Sequence, residues 1–536
     1  MSSSTRPSIT LSDVGLTWPD GATALAGITA TFGAGRTGLI GLNGAGKSTL
    51  LRLITGELRP STGRITTSAT VAHIPQTLTL EVEATVADLL GVGEQVLALR
   101  AIESGDASAH HFDVLGDQWD VETRAAEVLR NSGLPSVELD RRVAQLSGGE
   151  ALLVAMAGLR LEAAPIVLLD EPTNNLDRAA RSGLTELVRG WTGTLVVISH
   201  DPALLELMDD TAELHERRLT VFGGPYSAWQ QHVEEEQAAA ERAERAAEQV
   251  VRTEKRQRAE AETTLARRAR YARTDFVNKR RPKIVMQQRK TEAQVSAGKL
   301  RTEFDGKVEA ARAALRSASG RVRDDAEIRI DLPDPDVPAG RRIAELHGTN
   351  RSFVLAGPER VALIGPNGVG KTTLLEGLVH PEAARTGRAR ASRWTTRIGY
   401  LPQRLDGLDD AGSVLDNVRA AAPDSPASVV RQHLARFLLR GNAVDRRVGT
   451  LSGGERFRVV LACLLLASPP SQLLVLDEPS NNLDSRSLDH LVHALRGYRG
   501  ALLVVSHDDA LLARLDLTMT VALDHTGSLT AVYPPN

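Results

Sequence analysis

The chain has a single cysteine, Cys463, in 536 residues, which excludes an internal disulfide framework. It lies in the apolar run Val-Val-Leu-Ala-Cys-Leu-Leu-Leu-Ala at 459–467, where a buried structural thiol is expected. No apolar run approaches the roughly 18 residues that a bilayer span requires. The opening Met-Ser-Ser-Ser-Thr-Arg-Pro-Ser-Ile-Thr has no apolar core of a signal peptide. The expectation is therefore a soluble, cytoplasmic protein with no membrane span. Strong net charge is missing too: the formal balance is −3, and the 42% hydrophobic content is that of an ordinary soluble chain. The length suffices for two or three domains with substantial cores.

Proline and glycine are absent from one further stretch, and that absence is structural. After Gly-Gly-Pro at 223–225 neither residue recurs up to Arg273, and the run is rich in Ala, Glu, Arg and Gln. Such a composition predicts a helix, about 70 Å long at about 1.5 Å per residue. A second helical run, about 289–316, carries Leu300, Phe304, Val308, Ala311 and Leu315 at four-and-three spacing, a narrow stripe suited to one partner helix. Together they predict an antiparallel helical hairpin. Residues 223–328 hold 23 Lys and Arg against 17 acids, and the bases gather at the turn: Arg267, Arg268, Arg270, Arg273, Lys279, Arg280, Arg281, Lys283, Arg289 and Lys290 face only Asp275. Two readings fit this tip. It is an RNA-binding surface, since each phosphate neutralised releases counterions, or it is a solvated spacer whose charges keep it in solution.

Either side of the hairpin the same motifs occur once each. An apolar strand, Thr37–Ile40, runs into Gly41-Leu-Asn43-Gly44-Ala-Gly46-Lys47-Ser48-Thr49 and then a helical segment; Val361–Ile364 runs into Gly365-Pro-Asn367-Gly368-Val-Gly370-Lys371-Thr372-Thr373. These are phosphate-binding loops: the glycines turn backbone N–H groups toward phosphate, the lysine adds a point charge, and the Ser48 or Thr372 hydroxyl can ligate Mg²⁺. Downstream, apolar strands end in Asp170-Glu171 and Asp477-Glu478. Carboxylates at the end of a buried strand need a cation or water to face, so the aspartates are assigned to Mg²⁺ and the glutamates to the attacking water. Leu-Ser-Gly-Gly-Glu stands at 146–150 and 451–455, each before an apolar helix. Each copy taken alone fits a simple helix cap. Their matched placement, 23 and 25 residues ahead of Asp170 and Asp477, points instead to anion binding by Ser147, Gly148 and Gly149 and by Ser452, Gly453 and Gly454. His200 and His507, each after an apolar strand, read as sensors of the terminal phosphate.

Taken together, the doubled loops, signatures, acids, Asn-Leu-Asp tails ending at Asp177 and Asp484, and histidines resemble the ATP-binding cassette superfamily. Two cassettes with a helical linker of about a hundred residues are similar to its F subfamily, soluble ATPases that act on ribosomes. The resemblance implies an α/β fold of two phosphate-loop cassette domains, 1–222 and 329–536, joined by a hairpin, 223–328, that enters the tRNA exit site and approaches P-site tRNA and the peptidyl-transferase centre. It also implies a monomer in which the cassettes pair within the chain, with ATP and Mg²⁺ as ligands. Lys47, Ser48, Gln76, Asp170, Glu171 and His200 would face Ser452, Gly453 and Gly454. Lys371, Thr372, Gln403, Asp477, Glu478 and His507 would face Ser147, Gly148 and Gly149. Gln76 and Gln403 would touch Mg²⁺ and water, and Trp18 would either stack on adenine or belong to the core.

The pattern departs from the family at several points. Asn175 and Asn482 stand where a histidine is usual, and Ser480 replaces threonine. Ala151 and Leu152 follow the first signature where Arg456 and Phe457 follow the second, and no aromatic aligns with Trp18 ahead of the second loop, Phe353 being the nearest candidate. The interval from Gln76 to Ser147 is 71 residues against 49 from Gln403 to Ser452, the surplus falling at about 90–116. That insertion is shorter than the ribosome-binding arm of some family members. Within the ribosome reading, antibiotic resistance and a housekeeping role both stay open. The alternative function is the energising ATPase subunit of a membrane transporter, which gives no reason for a basic hairpin tip. A DNA-repair ATPase is a third; it expects zinc-binding cysteine pairs or far longer coiled coils.

Overall fold

The structure is a computed structural model. It describes residues 6–19, 21–76, 84–174, 176–277, 283–322, 332–381, 387–403, 407–451, 453–481 and 483–532, with the side chains at 268, 269, 271–294 and 485 left out. Two compact units result, one of residues 1–226 with 327–536 and one of 227–326.

The first unit holds two cassettes of mixed α/β structure built to one plan. In the first, six strands lie in the order Val71–Ile74, Ile166–Asp170, Thr194–Ile198, Gly35–Ile40, Asp210–His215, Arg218–Gly223, the last antiparallel and the rest parallel. In the second the order is Ile398–Leu401, Leu473–Asp477, Ala501–Val505, Arg360–Ile364, Met519–Leu523, Leu529–Val532, again with only the last reversed. The near-continuous Val, Leu and Ile runs of the central strands suit a parallel sheet covered on both faces. Ile166–Asp170, Thr194–Ile198, Leu473–Asp477 and Ala501–Val505 are buried at every position.

This topology determines where the chemistry lies. In each sheet the strand ending in paired acids and the strand entering the glycine loop flank the strand that ends at the histidine. Because the three are parallel, their carboxyl ends share one edge, where open α/β sheets bind ligands. Acid, imidazole and lysine are thus brought together from three segments, the lysine lying more than a hundred residues ahead of the other two.

Each cassette also carries a three-stranded antiparallel sheet: Thr23–Phe32, Ile9–Thr17 and Thr62–Thr67 in the first, Ser352–Ala356, Arg342–His347 and Arg390–Arg393 in the second. The surplus segment near 90–116 folds as two short helices, Gly93–Glu103 and Ala109–Leu115, anchored by buried Val96, Ala98, Leu99 and Leu115. Cys463 is largely covered beside the second cassette's core, and burial pushes its thiol up to about 12, as expected of an inert structural cysteine.

The second unit consists of helices Tyr226–Val277, 52 residues, and Lys283–Ser319, 37 residues. They run antiparallel. The Ser319 hydroxyl donates to Glu244 Oε1 at 2.6 Å, and Arg258 Nε pairs with Asp305 Oδ1 at 3.0 Å, both pairs being centred on the same point between 281 and 282. The expected stripe is the covered one: Val308 and Ala311 are buried and Leu300, Phe304 and Leu315 half-buried, with buried Val251 on the first helix. Other positions of that helix turned away from solvent include Glu244 and Glu254, so the seam is only partly apolar. Of the basic residues expected at the tip, Arg267 and Arg270 are exposed. The side chains of Arg268, Arg273, Lys283, Arg289 and Lys290, and all of Lys279, Arg280 and Arg281, lie outside the described residues. No helix among the described residues is long and apolar enough to cross a membrane.

Candidate nucleotide-hydrolysis sites

Two glycines make each loop possible. Gly41 has φ 151°, and a Cβ there would come within 2.4 Å of the Leu214 carbonyl oxygen; Gly365 has φ 156° and would meet the Leu523 oxygen at 2.2 Å. Only glycine fits so close an approach of strand and loop. At the other end, left-handed Gly46 and Gly370 cap the helices Lys47–Ile54 and Lys371–Val379 with no side-chain bond, leaving first-turn N–H groups for an anion.

In the first cassette a cavity of about 430 Å³ is lined by Asn43, Gly44, Gly46, Lys47, Ser48, Thr49, Gln76, Asp170, Glu171 and His200, all expected from sequence, and by Asn174 and Ile198, which were not. Lys47 is only 7% exposed; its Nζ donates to the carbonyls of Gly41 at 2.7 Å and Leu42 at 3.3 Å and lies 3.1 Å from His200 Nε2. Lys371 repeats this, with Gly365 O at 2.7 Å, Pro366 O at 3.0 Å and His507 Nε2 at 3.0 Å. Burial lowers both ammonium groups from the ordinary lysine value, against the pull of the neighbouring acids. The imidazoles are held neutral by burial and then by the lysine charge, His200 at about 3 and His507 at about 4. Neutral Nε2 therefore accepts from the lysine. Gln403 stands two residues beyond Ile398–Leu401, as Gln76 does beyond Val71–Ile74.

The glutamates are unusual in backbone and in charge. Glu171 and Glu478 adopt φ 49° and 46°, a left-handed conformation rare outside glycine, while their N–H groups bond Ile198 O and Val505 O of the adjacent strand at 2.9 Å. The kink turns the carboxyl from the strand end toward the histidine: Glu171 Oε1 lies 3.1 Å from His200 Nε2, and the His507 N–H donates to Glu478 Oε2 at 3.3 Å. Burial first, then the neighbouring aspartate, raises each glutamate to about 7 against the opposing lysine. Asp170 Oδ1, Asp477 Oδ2 and Glu478 Oε1 are buried with no hydrogen-bond partner. An orphaned carboxylate oxygen beside a serine or threonine hydroxyl fits a divalent cation, and the Thr372 hydroxyl bonds Asp477.

The cassettes touch through two aspartates absent from the expected site. Asp177 caps the helix Arg178–Arg189 through Ala180 N and, with its other oxygen, accepts from Asn367 N of the second loop at 3.3 Å. Asp484 caps 485–497 through Ser487 N and accepts from Asn43 N of the first loop at 2.9 Å. Burial opposes charge on Asp484, but these amide bonds outweigh it and hold the carboxyl below its usual range. Arg178 also pairs with Asp509 of the other cassette. The signal was present in the twin Asn-Leu-Asp tails; what sequence could not say is that one carboxylate serves both cassettes.

At the first signature, Ser147 and Glu150 form a reciprocal capping box: Ser147 Oγ accepts from Glu150 N at 3.2 Å, and Ser147 N donates to Glu150 Oε2 at 2.7 Å. The cap reading is thus true of this copy, and the Ser147 hydroxyl proton remains free to donate. Gly148 is exposed; at Gly149 a Cβ would meet that of Ala180 at 2.9 Å. Gly453 is exposed, Gly454 is half-buried, and neither lines the first cavity; Ser452, Asn175 and Asn482 lie outside the described residues. Trp18, 36% exposed, is not in that cavity's lining. It follows strand Ile9–Thr17, in a hairpin whose strands are nine and ten residues long, against six and five in the second cassette. The shorter turn is tied to Leu529 by both amide atoms of Asn350, and Phe353 already carries the Arg351 guanidinium at 4.8 Å.

Paired loops, acids and histidines on two copies of one parallel-sheet fold define a tandem cassette ATPase. A family model described as ABC transporter matches residues 25–174 and 349–481, and the chain belongs to that family, in its F subfamily. Among its relatives, the tylosin resistance ATP-binding protein TlrC of Streptomyces fradiae is 33% identical over 521 residues, covering 89% of this chain and 90% of that protein. The energy-dependent translational throttle protein EttA of Escherichia coli (strain K12) is 29% identical over 533 residues, covering 90% and 86%. Among solved structures, archaeal ribosome recycling factor aABCE1, in complex with ribosomal stalk protein aP1, matches 97% of this chain and 89% of its own with TM-score 0.54 at 20% identity, a likeness of fold.

The raised glutamates set a pH test. Each carboxyl sits near 7 in the fold against an ordinary 4.5. Between those values the folded state holds more protons than the unfolded one, so stability falls as pH rises through the window. Without nucleotide and with chelator present, Tm should drop from pH 5 to pH 8, and drop less in Glu171→Gln/Glu478→Gln. Parallel curves for the two proteins would remove the assigned burial cost.

Proposed function

We propose that this ATPase is a ribosome-binding translation factor, and that its two cassettes, 1–222 and 329–536, close on ATP to drive the hairpin, 223–328, into the ribosomal exit site beside P-site tRNA and the peptidyl-transferase centre. The observation that carries the clamp is the reciprocal bonding of Asp484 to Asn43 N and of Asp177 to Asn367 N. Each phosphate loop is thereby joined to the other cassette, so occupancy of one loop is felt by both halves. Support for the ribosome comes from the basic hairpin tip and from relatives described as a translational throttle and a resistance protein.

In this reading Lys47 and Lys371 exchange loop carbonyls for the outer phosphates of ATP. Asn43, Gly44, Gly46 and Thr49, with Asn367, Gly368, Gly370 and Thr373, supply loop amides, and the signature residues of the opposite cassette close over the terminal phosphate. Ser48, Asp170 and Gln76, and Thr372, Asp477 and Gln403, hold Mg²⁺, which offsets phosphate charge. Glu171 and Glu478, once ionised, take the proton of the attacking water. His200 and His507, neutral at working pH, hold the lysine and the terminal phosphate in register.

Similarity over 89% of the chain to a tylosin resistance protein favours ribosome protection as the physiological task. Expression in a sensitive host should then raise tolerance of at least one ribosome-targeting antibiotic, and the Glu171→Gln/Glu478→Gln form should not. Unchanged growth across a broad panel would remove the protective role.

The ribosome assignment is tested separately. That double variant should retain ATP binding and sediment with ribosomes on sucrose gradients containing ATP; recovery only at the top contradicts the proposal. Replacing Arg280, Arg281 and Lys283 with alanine should weaken ribosome binding and flatten its salt dependence while leaving nucleotide affinity unchanged. Identical binding at several salt concentrations returns the tip to a solvated spacer.

A further inference from the structure

The second cassette's antiparallel sheet has a face that ATP chemistry does not use. Strand Arg390–Arg393 alternates in side-chain direction. Ala391 packs on the core and Arg393 Nη1 is spent on Val379 O at 2.8 Å, so Arg390 and Ser392 point the other way. The opposing strand places His347 across from Arg390 and Glu345 across from Ser392. His347 is fixed between two hydroxyls, Ser352 Oγ at 3.0 Å from Nδ1 and Ser392 Oγ at 2.8 Å from Nε2. Just past the strand stands Trp394, 45% exposed, with the Arg342 guanidinium 4.5 Å from its ring centroid.

Arginines dominate the charge around this face, on which Glu345 lies 3.5 Å from Arg342 and 3.7 Å from His347. Arg341, Arg342, Arg351, Arg388 and Arg390 are all exposed. Only Arg342 has a carboxylate within salt-bridge distance among the described residues, Glu345 at 3.5 Å. Arg351 and Arg388 bond backbone carbonyls, Leu529 O and His525 O, at 3.0 Å, which orients them without neutralising them. The matching sheet of the first cassette has no such face: its third strand, Thr-Gly-Arg-Ile-Thr-Thr, has one arginine and no aromatic residue.

We propose that this face binds single-stranded RNA, with one base stacked on the Trp394–Arg342 pair and the adjoining phosphates on Arg390 and Arg388. A half-exposed indole already carrying a guanidinium is a stacking platform that tolerates any base. From Arg390 to Trp394 is about 13 Å along an extended chain, about the reach of two nucleotides. An acidic protein would satisfy the arginines but leaves the open ring without purpose, and that difference decides for RNA. The site is separate from the hairpin tip and does not depend on the ribosome proposal.

The test uses the full-length chain with Arg280, Arg281 and Lys283 replaced by alanine, so that the tip contributes little, and a labelled ten-nucleotide oligouridine followed by fluorescence anisotropy. Trp394→Ala should weaken binding roughly ten-fold. Arg388→Ala/Arg390→Ala should lower the slope of log affinity against log salt by about 1.4. ATP hydrolysis should be unchanged in both variants, which shows that they are folded, and 4-thiouridine crosslinks should map to 387–397. Equal oligouridine affinity for parent and Trp394→Ala overturns the proposal. So does a Trp394→Ala variant that binds ribosomes less well yet oligouridine normally, which would make the face a protein contact.

Discussion

A charged ammonium sunk into a protein needs oxygen or nitrogen lone pairs on every side, and Lys47 and Lys371 have them at the meeting of three parallel strands. Loop carbonyls, a neutral imidazole and two acids surround each lysine. The arrangement accounts for much else: glycine where loop and strand nearly touch, imidazoles without charge, and glutamates held near neutrality until the site changes. Each neighbour is tuned by the lysine and tunes it in return. The bound state would trade one set of lone pairs for another, which keeps the desolvation already incurred by burial from being lost.

The cassettes share a plan but differ in the details that set their behaviour. Reciprocal aspartate-to-amide contacts are present in both directions, so coupling is built symmetrically. Around them the symmetry fails. The first cassette has a long outer hairpin bearing Trp18, whereas the second has a short one locked to Leu529. After the second signature Arg456 pairs with Asp410 and Arg458 is half-buried, while Ala151, Leu152 and Leu153 fill the matching positions as core. A common fold with unequal surroundings gives two sites that need not turn over together.

The hairpin follows a different rule. Its length comes from helix-forming composition, its direction from one stripe, and its seam includes Glu244 and Glu254 beside Val251. A seam so sparing of apolar contact fixes antiparallel register through a few polar pairs, Ser319 with Glu244 and Arg258 with Asp305.

Much of this was legible in the chain itself, because the information is local. Glycine spacing, strand-ending acids and a helix free of proline and glycine act within a few residues of where they are read, and doubling each motif removed chance as an explanation. That is why the loops, the paired acids, the stripe from Leu300 to Leu315 and the largely covered Cys463 could be read before any fold was seen. Tertiary structure decided what depends on distance. It assigned each aspartate of the Asn-Leu-Asp tails to the opposite loop, bent Glu171 and Glu478 into left-handed backbone, and placed Trp394 under Arg342. Those outcomes rest on which strands become neighbours and how closely they pack, and contacts between segments that are not local in sequence leave no periodic trace in either segment alone.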